Sequence, residues 1–287
     1  MKARAVTRTS SVALVPPLAW LGVFFLVPMI AVFVYSLATR TPGGDVALGV
    51  SFQNYDRIGQ SALYLWGALR SLWIALEVTV ATLLVAYPVA YYLALVATRW
   101  RIVLFVLLIV PWWCGILVKS FAWVAILSER GVLNRALLAV GLIDHPLKLL
   151  YNEFAVVIGL VHVLIPFMVL PIYATLEKLD RRLIEAAGNL GSSPLRAFWE
   201  VILPLSLPGV AAGSLLTFIL SFGSYITPAL LGSDRAQMIA NLIQSQFMES
   251  FDWPFGAALS MVLLALVLAL LAVFNRLVGL DRLWGPR

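Results

Sequence analysis

Residues Leu176–Pro204, LEKLDRRLIEAAGNLGSSPLRAFWEVILP, separate two long apolar segments and carry the clearest pattern in the chain. Asp180 belongs to the residue types that cap helix N-termini. Apolar residues then recur at helical spacing, at Leu183, Ala187 and Leu190, and polar residues occupy the other faces. The pattern predicts an amphipathic helix that begins after Asp180.

A glycine ends this helix and a second helix follows. Gly191 can adopt the left-handed backbone conformation that a tight turn requires. Ser193 followed by Pro194 is typical of an N-cap and the first residue of a helix. The sequence therefore predicts a helix, a glycine turn and a second short helix that runs toward Val201.

The order and spacing of residues in this stretch resemble a known motif. Glu185-Ala186-Ala187, then Gly191, then Val201-Ile202-Leu203-Pro204 after nine further residues are similar to the cytoplasmic loop of ABC importer permeases. That family has isoleucine where Val201 stands. The resemblance implies that the loop docks on a separate ATPase subunit and transmits its closure to the membrane helices. It assigns ATPase docking to Glu185, Ala186, Ala187, Gly191, Leu203 and Pro204.

The residue types in this loop suit docking rather than catalysis. Two adjacent alanines let another surface approach closely, the glycine permits the turn, and Glu185 offers one charge to a basic partner. The alternative interpretation is an ordinary surface helical hairpin, in which the alanines only favour helix formation.

The composition is that of an integral membrane protein. Of the 287 residues, 62% are hydrophobic and 12% are charged, and the mean hydropathy is +0.97. The formal net charge of +6 does not indicate nucleic acid binding, because the basic residues are scattered among apolar runs. The single cysteine, Cys114, excludes an intrachain disulfide. We therefore expect membrane lipid, and no nucleic acid, as a partner.

Six apolar segments are long enough to cross a bilayer, which takes about 20 helical residues. We predict an all-α integral membrane fold with six transmembrane helices in one permease domain, 1–287. A short surface helix is expected within 128–152, and the GxxxG spacing of Gly209 and Gly213 favours close helix packing. The predicted spans are 12–38, 67–98, 102–127, 154–176, 206–231 and 255–280, and the predicted cytoplasmic loop is 177–205.

The distribution of basic residues predicts the orientation. Six spans place both termini on one side of the membrane. That side, together with the central loop, carries 12 of the 20 Lys and Arg residues, whereas the longer loops of the other side carry seven. The positive-inside rule therefore predicts cytoplasmic N- and C-termini and a cytoplasmic central loop.

Patterns for catalysis or metal binding are absent from the sequence. The chain has no Gly-Lys dipeptide and hence no GxxxxGK[ST] phosphate-binding loop. His145 and His162 lack ligands at metal-binding spacing, and we expect His162 to be hydrogen-bonded between helices. No nucleophile lies in a GxSxG setting. We predict that the chain is not an enzyme and holds no cofactor, with ATP and Mg²⁺ bound by the partner ATPase.

Two ionisable residues lie within predicted spans, where such residues are costly and usually face protein or water. Glu77 and Lys119 lie at similar depths, roughly 15 Å and 12 Å from the outer ends of their segments at about 1.5 Å per residue. We predict an ion pair between them or a shared polar cavity. The alternatives are that Glu77 attracts a cationic substrate and that Lys119 extends its ammonium group to the interface.

A second set of short motifs extends the resemblance from the second segment to the sixth. They are similar to those of permeases of polyamine importers, of the spermidine/putrescine type, which implies the type I ABC importer (MetI-like) fold in a bacterial inner membrane. It also implies ABC ATPase subunits, a second and paralogous permease, and a periplasmic substrate-binding protein as partners. The motifs are Pro111-Trp112-Trp113, Leu117-Val118-Lys119, Phe121-Ala122-Trp123, Gly131-Val132-Leu133-Asn134, Tyr225–Gly232 and Trp253–Ala258.

Aromatic and proline residues complete the candidate translocation pathway. An amine cation would be held by carboxylates and aromatic faces. Each aromatic residue has a structural alternative, because tryptophan and tyrosine are enriched at membrane interfaces. Prolines within apolar helices predict kinks or breaks beside a cavity, at Pro88, Pro111, Pro166, Pro171 and Pro228. The pathway candidates are Glu77, Trp112, Trp113, Lys119, Trp123 and Tyr225.

Other functions stay open from the sequence. A stand-alone ion-coupled secondary transporter would use Glu77 as a relay, and it predicts inverted repeats, of which we find no convincing example. An ABC permease for an opine or for aminoethylphosphonate would carry the same motifs. A membrane scaffold would have no transport activity.

Overall fold

A computed structural model describes residues 3–41, 43–97, 99–233 and 237–278, with side chains from Pro16 to Arg276 within these ranges. The described chain is mostly helical, as predicted. Its strands, β1 (Thr39–Arg40) and β2 (Val46–Ala47), pair antiparallel. The helices are α1 (Ala3–Ser36), α2 (Gln53–Gln60), α3 (Ala62–Tyr91), α4 (Arg101–Trp113), α5 (Ile116–Leu127), α6 (Val132–Ala139), α7 (Glu153–Glu177), α8 (Arg181–Asn189), α9 (Pro194–Ala197), α10 (Leu203–Phe222), α11 (Ile226–Leu231), α12 (Ile239–Met248) and α13 (Trp253–Val278).

Five helical stretches among the described residues are long and apolar enough to cross a membrane. A bent pair, Arg101–Trp113 with Ile116–Ala139, makes a sixth crossing if its two parts count as one span. The fold is therefore that of a multi-pass membrane protein, as the apolar segments predict. The five stretches are Pro16–Ser36, Ala62–Val96, Glu153–Glu177, Pro194–Phe222 and Trp253–Arg276.

Two predicted spans are interrupted. The predicted span 102–127 is two helices, because Arg101–Trp113 and Ile116–Ala139 meet at an angle of 94° at Cys114 and Gly115, three residues after Pro111, which was predicted to mark a kink or break. Both residues have extended backbone conformations, which end the α4 hydrogen-bond ladder. The predicted span 206–231 is likewise two helices, because α10 ends at Phe222 and α11 begins at Ile226.

Other boundaries also differ from the prediction. A π-helical turn, Phe198–Ile202, joins α9 to α10, so that Leu203 and Pro204 lie within a continuous helical stretch and not in the loop. The connection predicted after Gly232 contains α12, and the short helix expected within 128–152 is confirmed as α6. The last two residues of the predicted span 255–280 lie outside the described residues.

The chain forms two compact units. The first joins Met1–Leu65 with Ile243–Leu266, and the second joins Trp66–Leu242 with Val267–Arg287. The loop and the cavity described below both belong to the second unit.

Buried polar contacts hold the first unit together. The buried side chain of Asn54 donates from Nδ2 to the carbonyl oxygen of Ala38 at 2.8 Å and so ties α2 to the chain that follows α1. Arg57 pairs with the buried carboxylate of Asp252 at 2.8 Å, and its guanidinium lies 3.9 Å from the ring centre of Phe255. Helix α2 is thus fixed by contacts distant in sequence.

The second unit is organised around α7, which packs closely against α10. A Cβ atom on Gly213 would lie 2.9 Å from Sδ of Met168, and one on Gly209 would lie 2.6 Å from the carbonyl oxygen of Pro171. Both glycines are buried, so a larger side chain would separate the helices. The close packing predicted from the GxxxG spacing is confirmed.

Candidate functional site

The central loop, defined as Arg181–Ala197, has the predicted local structure. The carboxylate of Asp180 accepts a hydrogen bond from the backbone N–H of Arg182 at 3.0 Å, at the start of α8. Gly191 has φ +85°, which is the left-handed conformation that favours glycine. The hydroxyl of Ser193 accepts from the backbone N–H of Arg196 at 3.3 Å, ahead of Pro194 at the first position of α9. Helix, glycine turn and second helix are all confirmed.

This loop presents an exposed surface that is partly apolar. Within α8 no residue is buried, and Glu185 and Ala186 are exposed while Ala187 is half-buried. Leu190 is 88% exposed and Leu195 is 69% exposed. Large apolar side chains clustered on a polar surface are typical of interaction sites. The arrangement can therefore dock a partner.

Ion pairs support the two ends of the loop. Arg101 at the start of α4 pairs with Glu177 at the end of α7, and its guanidinium lies 5.1 Å from the ring centre of Tyr173. Arg196 Nε donates to Glu200 at 2.8 Å, one helical turn later. The loop thus begins and ends on helices of the second unit.

A cavity of about 460 Å³ lies where the two predicted spans are interrupted. The break between α4 and α5 supplies residues on one side, and the break between α10 and α11 supplies residues on another. Helix α7 supplies a third wall. The lining residues are Trp112, Cys114, Gly115, Ile116, Lys119, Leu160, Val163, Leu164, Phe167, Leu220, Gly223, Ser224, Tyr225 and Ile226.

Lys119 is the charged residue of this cavity lining. Its exposed fraction is only 7%. It forms no ion pair or side-chain hydrogen bond with the described residues. The titratable groups that interact with it electrostatically are Cys114 and His162.

Three of the six predicted pathway residues come together at this cavity: Trp112, Lys119 and Tyr225. Trp112 makes an edge-to-face contact with Phe167, with ring centres 5.9 Å apart. Tyr225 precedes α11, and its carbonyl oxygen accepts from Nδ2 of Asn241 at 2.8 Å. The cavity thus combines one buried cation with aromatic walls.

The other three predicted pathway residues lie elsewhere. Trp113, which is 83% exposed, lines a separate groove along α4 that also contains Arg101. Trp123 donates from Nε1 to Nδ1 of His162 at 3.1 Å, which confirms the interhelical hydrogen bond expected for this histidine. Glu77 is not among the described residues that line the cavity.

The predicted ion pair between Glu77 and Lys119 was wrong. Within the described chain, Glu77 interacts with the indole of Trp73 and with the carboxyl group of Glu153, at the start of α7. Nε of Arg70 lies 4.0 Å from Oε2 of Glu153. Depth counted along a helix gives the level of a side chain but not the direction in which it points, which is why the pairing failed.

Sequence reasoning missed several residues of the cavity. Phe167 and Cys114 carried no distinguishing pattern. Gly115 and the Gly223-Ser224 pair did carry one, because small residues inside an apolar run weaken a helix and mark positions where it can break. Among the residues that the structure describes, no group of three or more His, Cys, Asp or Glu side chains is placed to hold a metal ion.

Comparison with known proteins identifies the family. Residues 3–280 match the family described as binding-protein-dependent transport system inner membrane component. The chain belongs to this permease family. It is 39% identical over 257 residues to the spermidine/putrescine transport system permease protein PotB of Escherichia coli (strain K12), over 90% of this permease and 93% of that one. It is 36% identical over 260 residues to PotB of Haemophilus influenzae, over 90% of each chain.

Solved structures support the same fold. A chain in the crystal structure of a bacterial ABC transporter involved in the import of the acidic polysaccharide alginate matches this permease with a TM-score of 0.71. The match covers 96% of each chain at 17% sequence identity, so that it shows the fold alone. The protein is therefore a multi-pass transport component of the inner membrane with the fold of ABC importer permeases.

Proposed function

We propose that this permease is one membrane subunit of an ABC importer that moves polyamines, such as spermidine or putrescine, or related small amines into the cell. The observation that carries the proposal is its 39% identity to a spermidine/putrescine permease over 90% of the chain. ATP hydrolysis with Mg²⁺ takes place on separate ATPase subunits. A periplasmic binding protein delivers the substrate, and a second, paralogous permease completes the path.

The central loop is the ATPase docking site in this proposal. Its exposed Glu185 and Ala186, and the apolar tips Leu190 and Leu195, supply the contact surface. Leu203 and Pro204 contribute by continuing the helix that starts in the loop. Closure of the ATPase subunits would move this surface and, through the attached helix, the membrane part of the permease. The loop and both termini then lie in the cytoplasm, as the Lys and Arg distribution favours.

The cavity supplies part of the substrate path. The ring faces of Trp112 and Tyr225 are suited to an alkylammonium group, because an aromatic face attracts a cation. The wall contains no carboxylate of this chain. Strong retention of an amine here would therefore depend on groups from the second permease.

Reconstitution of the complete transporter tests the proposal. The permease is assembled in proteoliposomes with its paralogous permease, ATPase and binding protein, and uptake of radiolabelled spermidine is measured with and without ATP. We expect uptake that depends on ATP, and Glu185→Arg should lower it at least about tenfold, because the contact to a basic partner surface becomes a repulsion. The matched control is Glu129→Arg, which reverses the charge of an exposed glutamate outside the loop.

Two results would contradict the proposal. Spermidine uptake at the same rate without ATP would identify a stand-alone transporter. Full ATP-dependent uptake by the Glu185→Arg variant, at an equal amount of bound ATPase, would remove the docking role of the loop.

A further inference from the structure

Lys119 is a buried cation in a cavity with apolar and aromatic walls. Burial of a charged group is unfavourable unless an opposite charge or hydrogen bonds compensate it, and within a membrane span such a group usually has a function. Lys119 is 7% exposed and has neither compensation among the side chains that the structure describes. The described residues therefore supply no acceptor for its ammonium group.

A helix N-terminus points to the same missing partner. Helix α5 has 12 residues, and its N-cap, Gly115, has no side chain to accept hydrogen bonds from the first turn. Helix N-termini carry a partial positive charge and bind anions through these N–H groups. Gly115 and Ile116 line the cavity, and Lys119 follows Ile116 by three residues, on the same face of the helix.

We infer that this cavity is a binding site for one carboxylate group, held by the ammonium of Lys119 and by the N-terminal N–H groups of α5. A carboxylate accepts several hydrogen bonds and neutralises one cation, which is what these two features together require. The inference goes beyond the proposed transport of polyamines, which have no carboxylate.

The carboxylate has two possible sources with the same chemistry. One is an acidic side chain of the second permease that reaches into the cavity. The other is the acid group of an amino-acid-type amine in transit. In the first case Lys119 forms an ion pair with the acidic side chain until the ammonium group of a substrate competes for that side chain. In the second case Lys119 selects zwitterionic amines.

Cys114 makes the local charge of this cavity measurable. It is the single cysteine of the chain, it is exposed, and it lines the cavity beside Gly115. The complete transporter is treated with an anionic (sulfonatoethyl) and a cationic (trimethylammonioethyl) methanethiosulfonate, and the two rates are obtained by mass spectrometry of the Cys114 peptide. Their ratio, anion over cation, reports the electrostatic potential at the thiol.

The variants are Lys119→Met, Lys119→Arg and the control Lys148→Met, which removes an exposed lysine that does not line the cavity. We expect Lys119→Met to lower the anion-to-cation rate ratio about tenfold, because one unit of charge at close range is removed. Lys119→Arg and Lys148→Met should leave the ratio near the wild-type value.

The wild-type protein distinguishes the two sources. A ratio near one that becomes cation-selective in Lys119→Met indicates a carboxylate of the second permease. A ratio well above one that falls with added ornithine, but not with added putrescine, indicates a free carboxylate. A ratio unchanged by Lys119→Met overturns the inference. Spermidine uptake plays no part in this readout, so failure here and failure of the proposed function are separate results.

Discussion

The central loop and the Lys119 cavity are built in opposite ways. The side-chain hydrogen bonds that cap the two loop helices join residues within a few positions of each other, Asp180 to Arg182 and Ser193 to Arg196. The cavity combines residues between Trp112 and Ile226, and its lining depends on two helix breaks and on α7. The difference teaches that the local structure of a loop can be encoded by neighbouring residues, whereas the chemistry of the cavity depends on how separate helices pack.

One continuous helical stretch links these two regions. Pro194 begins it in the loop, and its last turn ends at Phe222, where Leu220 and then Gly223 line the cavity. Its 29 residues span about 43 Å at about 1.5 Å per residue. A displacement of the loop would therefore reach the cavity through one continuous helical stretch.

The largest expected effect follows from breaking the packing of this linking helix. Gly213→Leu places a side chain where a Cβ alone would lie 2.9 Å from Sδ of Met168 and 3.0 Å from its carbonyl oxygen. We expect a destabilisation of roughly 3 kcal/mol or more, because the overpacked backbone contact cannot relax. The yield of folded protein and its thermal unfolding in detergent are the measurements.

Gly22→Leu is the matched control for this change. Gly22 lies in α1, and a Cβ atom there would meet nothing within 4 Å. Equal stability of the Gly213→Leu and Gly22→Leu variants would show that α7 and α10 do not pack as closely as described.

An intermediate effect is expected when only the loop is altered. Gly191→Val forces a β-branched residue into φ +85°, which costs about 1–2 kcal/mol locally. We expect ATP-dependent uptake to fall roughly tenfold while folded yield and the Cys114 labelling ratio remain unchanged, because a Cβ atom at Gly191 would meet no other residue within 4 Å.

Two further substitutions sharpen this prediction. Gly191→Asn should retain most of the uptake, because asparagine tolerates the left-handed conformation. Gly188→Ala, in open space within α8 and without a positive φ, should behave as the wild type. Low uptake in all three variants would point to crowding at the docking surface and not to the turn.

The smallest effect is expected from Trp123→Phe. The change removes the 3.1 Å hydrogen bond from the indole to Nδ1 of His162 and keeps an aromatic ring. We expect a loss of about 0.5–1.5 kcal/mol in stability, measured by thermal unfolding, with the Cys114 labelling ratio unchanged. A changed labelling ratio would mean that Trp123 belongs functionally to the cavity.

Much of the fold could be predicted from the sequence, because apolar length and helix-capping residues act locally. Apolar length predicted spans such as α7. Residue types at fixed offsets predicted the helix caps at Asp180 and Ser193 and the turn at Gly191. Pro111 predicted a kink or break near Cys114 and Gly115, but apolar length alone did not give its position, because a long apolar segment fits either one helix or two. The helical continuation through Leu203 and Pro204 was missed, because a proline inside a helical pattern usually ends or kinks the helix.

The sequence by itself determined that this is a membrane permease and where its central loop lies, because hydrophobic length and helix caps act between residues close in the chain. Only the tertiary structure decided that Trp112, Lys119 and Tyr225 line one cavity. It also decided that Glu77 interacts with Trp73 and Glu153 instead. A helix that is apolar on every side has no polar stripe to orient it. The direction of each of its side chains is therefore set by packing against its neighbours.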